Sequence, residues 1–351
     1  MNIKNIVLIV IVAVLALGIL YAKYDSDRSR DRIDLKFRLK AGESYEFKII
    51  QFQSVSQRFE DKGIDMNAVA DTVIGLNVIG VDANGSMDAA ITFKSIKLGI
   101  DTDYGHLEFD PENPKQVDPN DKAQQAFVML FSNVLGSSLK MRITSTGEVS
   151  DIIGIGDIFT KFKNEMTKLE AKNEPYNPEQ KEMLEAFKKA LGANNEKKFE
   201  EFFYKFFNGN LVRDLTDSAI LRFSADPVAV SKKWQYKQRL NLGFAIDVNT
   251  VCKLERHNGG IAYIDTVSKL DMNELKVADI TSREKILMKL SGTANSTVEV
   301  DETTGLVRKG DVRIKLSGIR RIEPDRMTLP IRPNMNLQLQ IDGYTTVKLI
   351  K

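Results

Sequence analysis

The sequence predicts an α+β protein that consists mainly of antiparallel β-structure and begins with one apolar helix. Three observations support this prediction: an uncharged apolar run at residues 6–22, alternation of apolar and polar residues in residues 33–156 and 213–351, and helical periodicity between those two regions. The chain has 351 residues, which is long enough for two β modules with a sizeable core. We therefore predict two related β-meander modules that form curved sheets, with a helical insert between them.

The apolar run and the changes of periodicity divide the chain into five segments. Residues 25–32 carry charges of both signs and have nothing to bury, so they indicate a short solvated linker. The predicted segments are an N-terminal transmembrane anchor or signal segment (1–22), a charged linker (23–32), a first β module with a buried helix (33–156), an amphipathic helical insert (157–212) and a second β module (213–351).

The apolar run predicts a membrane anchor. It has 17 residues without charge or proline, which reaches the lower limit of a helix that spans a bilayer, roughly 17–25 residues. Its large aliphatic side chains include Ile6, Leu8, Val10, Val12, Leu15, Leu17 and Leu20. The alternative is a signal peptide that is cleaved after Ala22, although the large Leu20 does not suit the small site two residues earlier. We expect an uncleaved anchor.

The charges beside the anchor allow two orientations. Lysine and arginine are more numerous after the run than before it, and a literal count would leave the large domain in the cytoplasm. Long domains, however, cross membranes largely regardless of such charges. We therefore expect the large domain outside the cytoplasm, in the periplasm or at the cell surface. If the segment is cleaved, the protein would be secreted.

Alternation predicts the strands of the first module. Residues 33–39 read Ile-Asp-Leu-Lys-Phe-Arg-Leu, which predicts a half-buried strand. A second strand is expected from Tyr45 to about Phe59. Asn84-Gly85 predicts a tight hairpin with a type I′ turn, in which both central residues have positive φ.

Helical periodicity predicts one buried helix and three amphipathic helices. Asp118 and Pro119 resemble an N-cap and a first-turn proline, and the helix that follows to about Leu135 is apolar nearly all round. The three amphipathic helices form the insert. The third has five phenylalanines on one face, and these either line an apolar cavity or pack the helix on a sheet. They are Phe199, Phe202, Phe203, Phe206 and Phe207.

The two β modules contain the same signals in the same order, which predicts a duplication. The alternative is that two unrelated β-meanders share common turns. The matching signals are an aromatic alternation (Tyr45 and Phe47; Trp234 and Tyr236), an Asn-Gly hairpin (Asn84-Gly85; Asn258-Gly259) and a Thr-Gly-x-Val turn (146–149; 304–307).

Composition and motifs exclude several classes of function. The net charge of +2 lacks the basic excess of a nucleic-acid-binding protein. His106 and His257 are the two histidines, and neither has metal ligands or a catalytic base beside it in the sequence. We therefore predict no metal and no cofactor. An enzyme whose carboxylates come from distant parts of the chain stays an alternative.

The chain has one cysteine, Cys252, and one tryptophan, Trp234. A single cysteine excludes an intramolecular disulfide, and the alternation of Cys252 with Val248 and Leu254 predicts that its side chain faces the core. Trp234 is either a core anchor or a ligand contact.

Four stretches resemble an uncharacterised family of exported or lipid-anchored bacterial β-rich proteins. They are residues 39–45, 84–85, 146–149 and 227–234. The resemblance covers most of the chain after Lys23, and because the family has no assigned activity, it implies no functional residues. Members often carry a lipid-anchor cysteine, and its absence from this chain favours the spanning anchor. More loosely, the layout is similar to periplasmic lipoprotein carriers, which is an analogy of fold.

These observations lead to two hypotheses of function. The first is a non-enzymatic, membrane-anchored extracytoplasmic protein that binds a lipid, a lipidated protein or another apolar ligand in a cavity between sheet and helices. The candidate contacts are then the five phenylalanines and Trp234. The second is a structural or protein-interaction module of the cell envelope without a small-molecule ligand. The sequence leaves the oligomeric state open.

Overall fold

The computed structural model describes residues 32–59, 62–103, 105–113, 128, 131–154, 156–158, 160–161, 164, 221–241, 245–278, 285–323 and 335–351. The predicted anchor and most of the predicted helical insert lie outside the described residues. The described strands are β1 (Arg32–Ile33), β2 (Ser44–Phe59), β3 (Lys62–Val81), β4 (Met87–Thr102), β5 (Gly105–Phe109), β6 (Ser138–Ile143), β7 (Val149–Ile153), β8 (Val228–Ala229), β9 (Lys233–Asn241), β10 (Ala245–Asn258), β11 (Ile261–Ala278), β12 (Lys285–Asp301), β13 (Val307–Glu323) and β14 (Met335–Leu349).

Twelve of the described strands form one antiparallel sheet. Its order is β7-β6-β4-β3-β2-β14-β13-β12-β11-β10-β9, and β5 also pairs with β4. Strands β1 and β8 form a separate antiparallel pair. The prediction of a mainly antiparallel β-protein is therefore confirmed.

Pairing between β2 and β14 joins the two modules. The two strands run side by side from Gln338 opposite Arg58 to Leu349 opposite Phe47. A long strand with an unpaired edge is a template for association with other chains, so this pairing removes two such edges from the fold. The sequence predicts sheets for two modules, whereas the structure combines the strands of both in one sheet.

One face of this sheet is buried, and we call it the inner face. In β2 the buried residues Gln53, Val55 and Gln57 alternate with the more exposed Phe52 and Ser54. Successive side chains of a strand point to opposite faces, so the alternation separates an inner face from an outer one. The inner-face side chains form most of the hydrophobic core.

The strand predicted at residues 33–39 is wrong for most of its length, because only Arg32–Ile33 forms a strand there. The chain beyond it crosses the turns of both modules: the amide of Phe37 donates to the carbonyl of Ser145 at 2.8 Å, and that of Arg38 donates to Thr304 at 3.0 Å. The alternation still identifies the buried side chains correctly. They are Leu35, Phe37 and Leu39.

The type I′ turn predicted at Asn84-Gly85 is also wrong. Gly85 has a φ of +76°, but Asn84 is not among the described residues with positive φ. The amide of Gly85 donates to the carbonyl of Asp82 at 3.0 Å, so a longer loop closes this hairpin. The second module has the two-residue turn instead, at Gly259 and Gly260, with φ values of +60° and +78°. Glycine permits these left-handed conformations without steric cost.

The two modules share local geometry as well as the order of their sequence signals. The amide of Gly42, just before β2, donates to the carbonyl of Val78 at 2.8 Å. The amide of Ser231, just before β9, donates to the carbonyl of Leu254 at 2.7 Å. A register shift typical of a β-bulge follows Val78 in β3 and Leu254 in β10. The duplication itself stays a prediction.

Short helical segments cover part of the sheet near β5. Residues 131–134 and 156–158 are helical, and the rings of Phe109 and Phe131 lie 5.9 Å apart between centroids. The helix predicted from Pro119 to about Leu135 is described mainly in this last part. Among the described residues, no helix combines the length and apolar character needed to span a bilayer.

Candidate functional site

Most of the predicted site residues lie outside the described residues. These are the anchor side chains (Ile6, Leu8, Val10, Val12, Leu15, Leu17 and Leu20) and the phenylalanine stripe (Phe199, Phe202, Phe203, Phe206 and Phe207). Their roles stay predictions.

Trp234 lies at the start of β9 and is half-buried. Its indole Nε1 donates to the main-chain carbonyl of Arg222 at 2.8 Å, and its ring packs against the core. It stands opposite Cys252, in the place that Tyr45 has opposite Leu76 in the first module. This internal hydrogen bond fits a core anchor, and a ligand contact at Trp234 stays a prediction.

The two histidines and the cysteine have ordinary structural surroundings. His106 is exposed, and its Nδ1 lies 2.7 Å from Asp101 Oδ1, while His257 Nδ1 lies 3.5 Å from Glu302 Oε1. Cys252 is completely buried, and burial raises the pKa of its thiol well above the ordinary value. A thiol of this kind is not a nucleophile, because the thiolate is the reactive form. In the part of the chain that the structure describes, no cluster of three histidine, cysteine or carboxylate residues could hold a metal ion.

Two carboxylates converge on the outer face of the second module. Asp265 stands opposite Lys253, and the Lys253 Nζ lies 2.6 Å from Glu255 Oε2. Burial, reinforced by the neighbouring Glu255, raises the pKa of Asp265. The lysine compensates one of the two negative charges, so the group is a surface ion-pair cluster on strands β10 and β11. Sequence analysis does not predict it, because the strand register brings residues ten positions apart together.

The inner face provides the widest continuous surface. One row of directly paired residues crosses eight strands from β10 to β4, which at about 4.8 Å per strand is roughly 34 Å. For comparison, one acyl chain fills about half of the ~30 Å hydrocarbon core of a bilayer. The row consists of Thr250, Ser268, Ala294, Ile314, Gly343, Gln53, Ala68 and Ile100.

Three polar side chains interrupt the apolar character of the inner face at β2 and β14. Gln53, Gln57 and Thr345 are 3%, 5% and 1% exposed. The side-chain oxygen of each has no hydrogen-bond partner. By contrast, the buried hydroxyls of Thr250 and Ser268 in the same face bond to each other at 2.9 Å. A buried polar group without a partner costs about 1–3 kcal/mol, so these three require an explanation.

Two of these side chains are neighbours. Gln53 stands opposite Gly343, and Thr345 follows two residues later on the same face of β14. Diagonal neighbours of this kind lie about 7–8 Å apart. Gly343 has no side chain between them, so a single small polar group could reach both. We call Gln53 and Thr345 the polar spot.

The sequence contains a partial signal for this site. Along β2 the inward positions read Tyr45, Phe47 and Ile49, and then Gln51, Gln53, Val55 and Gln57. The glutamines at these inward positions, where the alternation predicts apolar side chains, are the signal that sequence analysis misses. Thr345 has no local signal, because only the register between β2 and β14 brings it beside Gln53.

The outer face also has an apolar row, at the junction of the two modules. Val69, Phe52 and Tyr344 stand directly opposite one another on β3, β2 and β14, and each is more than one-third exposed. The phenol of Tyr344 donates to Asp311 Oδ1 at 2.8 Å, which raises its pKa. We call these three residues the outer row.

Comparison with family models gives one family. The model described as "Family of unknown function (DUF6263)" matches residues 84–198 and 180–307, which together cover more than half of the chain. No curated protein is significantly similar to the chain.

Solved structures show distant likenesses. The chain is similar to lipovitellin, in a structure of its lipid–protein interactions, with 8% identity and a TM-score of 0.41 over 90% of this chain and 26% of that chain. It therefore spans about a quarter of the lipovitellin chain. It is also similar to an outer membrane channel from Pseudomonas putida F1, with 6% identity and a TM-score of 0.19 over 93% of this chain and 100% of that chain. Both TM-scores are below 0.5, so neither likeness carries an argument.

Proposed function

The chain belongs to DUF6263, a family of unknown function, and we propose that this chain is a non-enzymatic binding module for a lipid or another apolar ligand. In this proposal the ligand lies against the inner face of the sheet, beneath the predicted helical insert. The N-terminal segment anchors the protein to a membrane, with the large domain outside the cytoplasm. A lipidated protein is the alternative source of the apolar group.

The observation that carries the proposal is the row of paired inner-face residues across eight strands. Its width of roughly 34 Å exceeds the length that one acyl chain needs. Several of its side chains are small, among them Ala68, Ala294 and Gly343, so they project little from the sheet. Apolar ligands bind in sites lined mainly by hydrophobic side chains with a few placed polar groups, which is the composition of this face.

The first test is the lipid content of the purified full-length chain. The protein is extracted from membranes with dodecyl maltoside and analysed by native mass spectrometry, followed by organic extraction and lipid identification. A matched control is residues 1–31 fused to an unrelated soluble protein, which retains only the lipid that surrounds the anchor. We expect about one additional lipid per full-length chain. Equal lipid content in the two proteins contradicts the proposal.

A second candidate function follows from the outer row. An exposed apolar row in the middle of a sheet is the kind of surface that contacts other proteins. The protein would then be a structural or interaction module of the cell envelope without a small-molecule ligand. Its test is site-specific photocrosslinking in intact cells at position 52, with position 54 as the control on the same face. One adduct of defined mass at position 52, absent after Val69→Ser, supports this candidate, and equal labelling at both positions contradicts it.

A further inference from the structure

We propose that the polar spot recognises an uncharged hydrogen-bonding group of the bound ligand, such as the hydroxyl and ester of a neutral acylglycerol. This inference rests on the proposed function and specifies its ligand class. The apolar part of the ligand would lie along the inner face, and its polar end would lie between Gln53 and Thr345.

The burial of the two side chains is the first argument. Gln53 and Thr345 are almost completely buried, yet Gln53 Oε1 and Thr345 Oγ1 have no hydrogen-bond partner. Leucine and valine would fit the same positions without this cost, because they have similar shapes and no polar atoms. A ligand that supplies the missing partner explains why the polar side chains are present.

The spacing of the two side chains is the second argument. Gln53 faces Gly343, and Thr345 lies diagonally across from Gln53, about 7–8 Å away. A glutamine amide both donates and accepts hydrogen bonds, and so does a threonine hydroxyl. A ligand hydroxyl can therefore donate to the amide oxygen of Gln53, while an ester carbonyl accepts from the hydroxyl of Thr345.

The absence of charge beside the spot is the third argument. The inner-face neighbours of Gln53 along β2 are Gln51 and Val55, and across the sheet they are Gly343 and Ala68. None of these described neighbours is charged. Arg320, which also lies on the inner face, stands opposite Leu337. Along β14, Leu337 is six residues from Gly343, which faces Gln53, and eight residues from Thr345, or about 20 Å and about 27 Å. A phosphate or carboxylate would therefore find no counter-ion at the spot among the described residues, which is costly.

The experiment measures binding of 1,2-dioleoylglycerol to the full-length chain and to the double variant Gln53→Leu/Thr345→Val in dodecyl maltoside. We expect the variant to bind about tenfold more weakly, which corresponds to roughly 1.4 kcal/mol. Without ligand, we expect its melting temperature to be unchanged or higher, because two unpaired polar groups have been removed. This opposite response of affinity and stability separates ligand recognition from a structural role.

A matched control is Gln238→Leu. Gln238 is another inner-face glutamine whose side-chain nitrogen and oxygen have no partner, but it lies on β9, six strands from β2 in the sheet. We expect this variant to bind dioleoylglycerol like the parent chain. Equal loss of affinity in the control contradicts a local spot at β2 and β14.

The remaining outcomes distinguish this inference from the proposed function. If neither dioleoylglycerol nor dioleoylphosphatidylglycerol binds the parent chain, and the purified full-length chain carries no more lipid than the anchor fusion, the proposed function fails. If dioleoylglycerol binds the parent and the double variant equally, the function stands and the polar spot is wrong. Tighter binding of dioleoylphosphatidylglycerol than of dioleoylglycerol overturns the uncharged ligand class. A lower melting temperature of the double variant without ligand assigns the two side chains a structural role and also overturns the inference.

Discussion

Ser231 takes the same backbone conformation before β9 that Gly42 takes before β2. Their φ values are +68° and +88°, and each amide donates to a carbonyl of the adjacent strand, at 2.7 Å and 2.8 Å. Among the described residues, Ser231 is the one non-glycine with positive φ. A left-handed conformation costs a residue with a side chain roughly 1–2 kcal/mol. Ser231 therefore destabilises the turn of the second module, whereas glycine adopts the corresponding conformation in the first module without this cost.

Replacement of Ser231 by glycine is expected to stabilise the protein. The conformational cost of serine is removed, and the greater entropy of unfolded glycine offsets part of the gain, which leaves about 0.5 kcal/mol. Gly42→Ala is expected to cost about 1 kcal/mol, and this cost is conformational because no atom lies within 4 Å of the added Cβ. Urea unfolding measures both. Gly80→Ala is the control, because it has equal space and no positive φ, and equal effects at positions 42 and 80 contradict the argument.

Gly292 and Gly318 of the second module allow close approach of strands β12 and β13. A Cβ on Gly292 would overlap the carbonyl oxygen of Lys315 and lie 2.8 Å from the Cα of Leu316. These are backbone atoms of β13, so no side-chain rotation relieves the overlap. We expect Gly292→Ala to lower the free energy of unfolding by about 1–3 kcal/mol, the usual cost of overpacking. Thermal unfolding measures the loss.

Gly99→Ala is the matched control for this prediction. Gly99 lies within β4, and a Cβ there would have no atom within 4 Å. Since alanine loses less backbone entropy on folding than glycine, we expect its melting temperature to equal or slightly exceed that of the parent chain. If Gly292→Ala is equally well tolerated, the strands β12 and β13 have room to separate and the prediction is wrong.

The sequence predicts burial better than it predicts pairing. The alternation of residues 33–39 identifies the buried Leu35, Phe37 and Leu39 because burial follows from local periodicity. The main-chain amides of Phe37 and Arg38 donate to turns more than 100 residues away, and nothing local encodes these partners. The pairing of β2 with β14 likewise joins residues that are far apart in the sequence, so no local pattern predicts it. The polar spot therefore could be predicted only in part, through Gln53.

Tyr45 is expected to make stability depend on pH in the alkaline range. Burial, assisted by the hydrogen bond from its phenol to Glu43 Oε2 at 2.8 Å, raises the pKa of Tyr45 to about 12. An unfolded tyrosine titrates near pH 10, so this contribution is complete below about pH 10 and is lost as the pH rises toward about 12. We expect Tyr45→Phe to reduce the fall in the free energy of unfolding over that range, as measured by urea unfolding.

The variant Glu43→Gln separates the effect of burial on the pKa of Tyr45 from the effect of the Glu43 charge. It keeps a hydrogen-bond acceptor for the phenol but removes the negative charge that opposes ionisation of Tyr45. We expect the alkaline fall to begin near pH 10 as in the parent chain, where the unfolded tyrosine ionises, but to be smaller and to end at lower pH, because the pKa of the folded Tyr45 is lower. An identical alkaline profile in the parent chain and in Tyr45→Phe contradicts the prediction.

Cys252 is expected to report on the opening of the inner face. It is completely buried opposite Trp234, and burial raises the pKa of its thiol. In the native protein a thiol reagent therefore cannot reach the sulfur, and the sulfur is not in the reactive thiolate form. We expect labelling with Ellman's reagent to follow global unfolding in urea. Cys252→Ser is expected to cost about 1–3 kcal/mol through its unpaired hydroxyl, and Cys252→Ala less. Rapid labelling without urea contradicts this and shows that the sheet opens locally around Cys252.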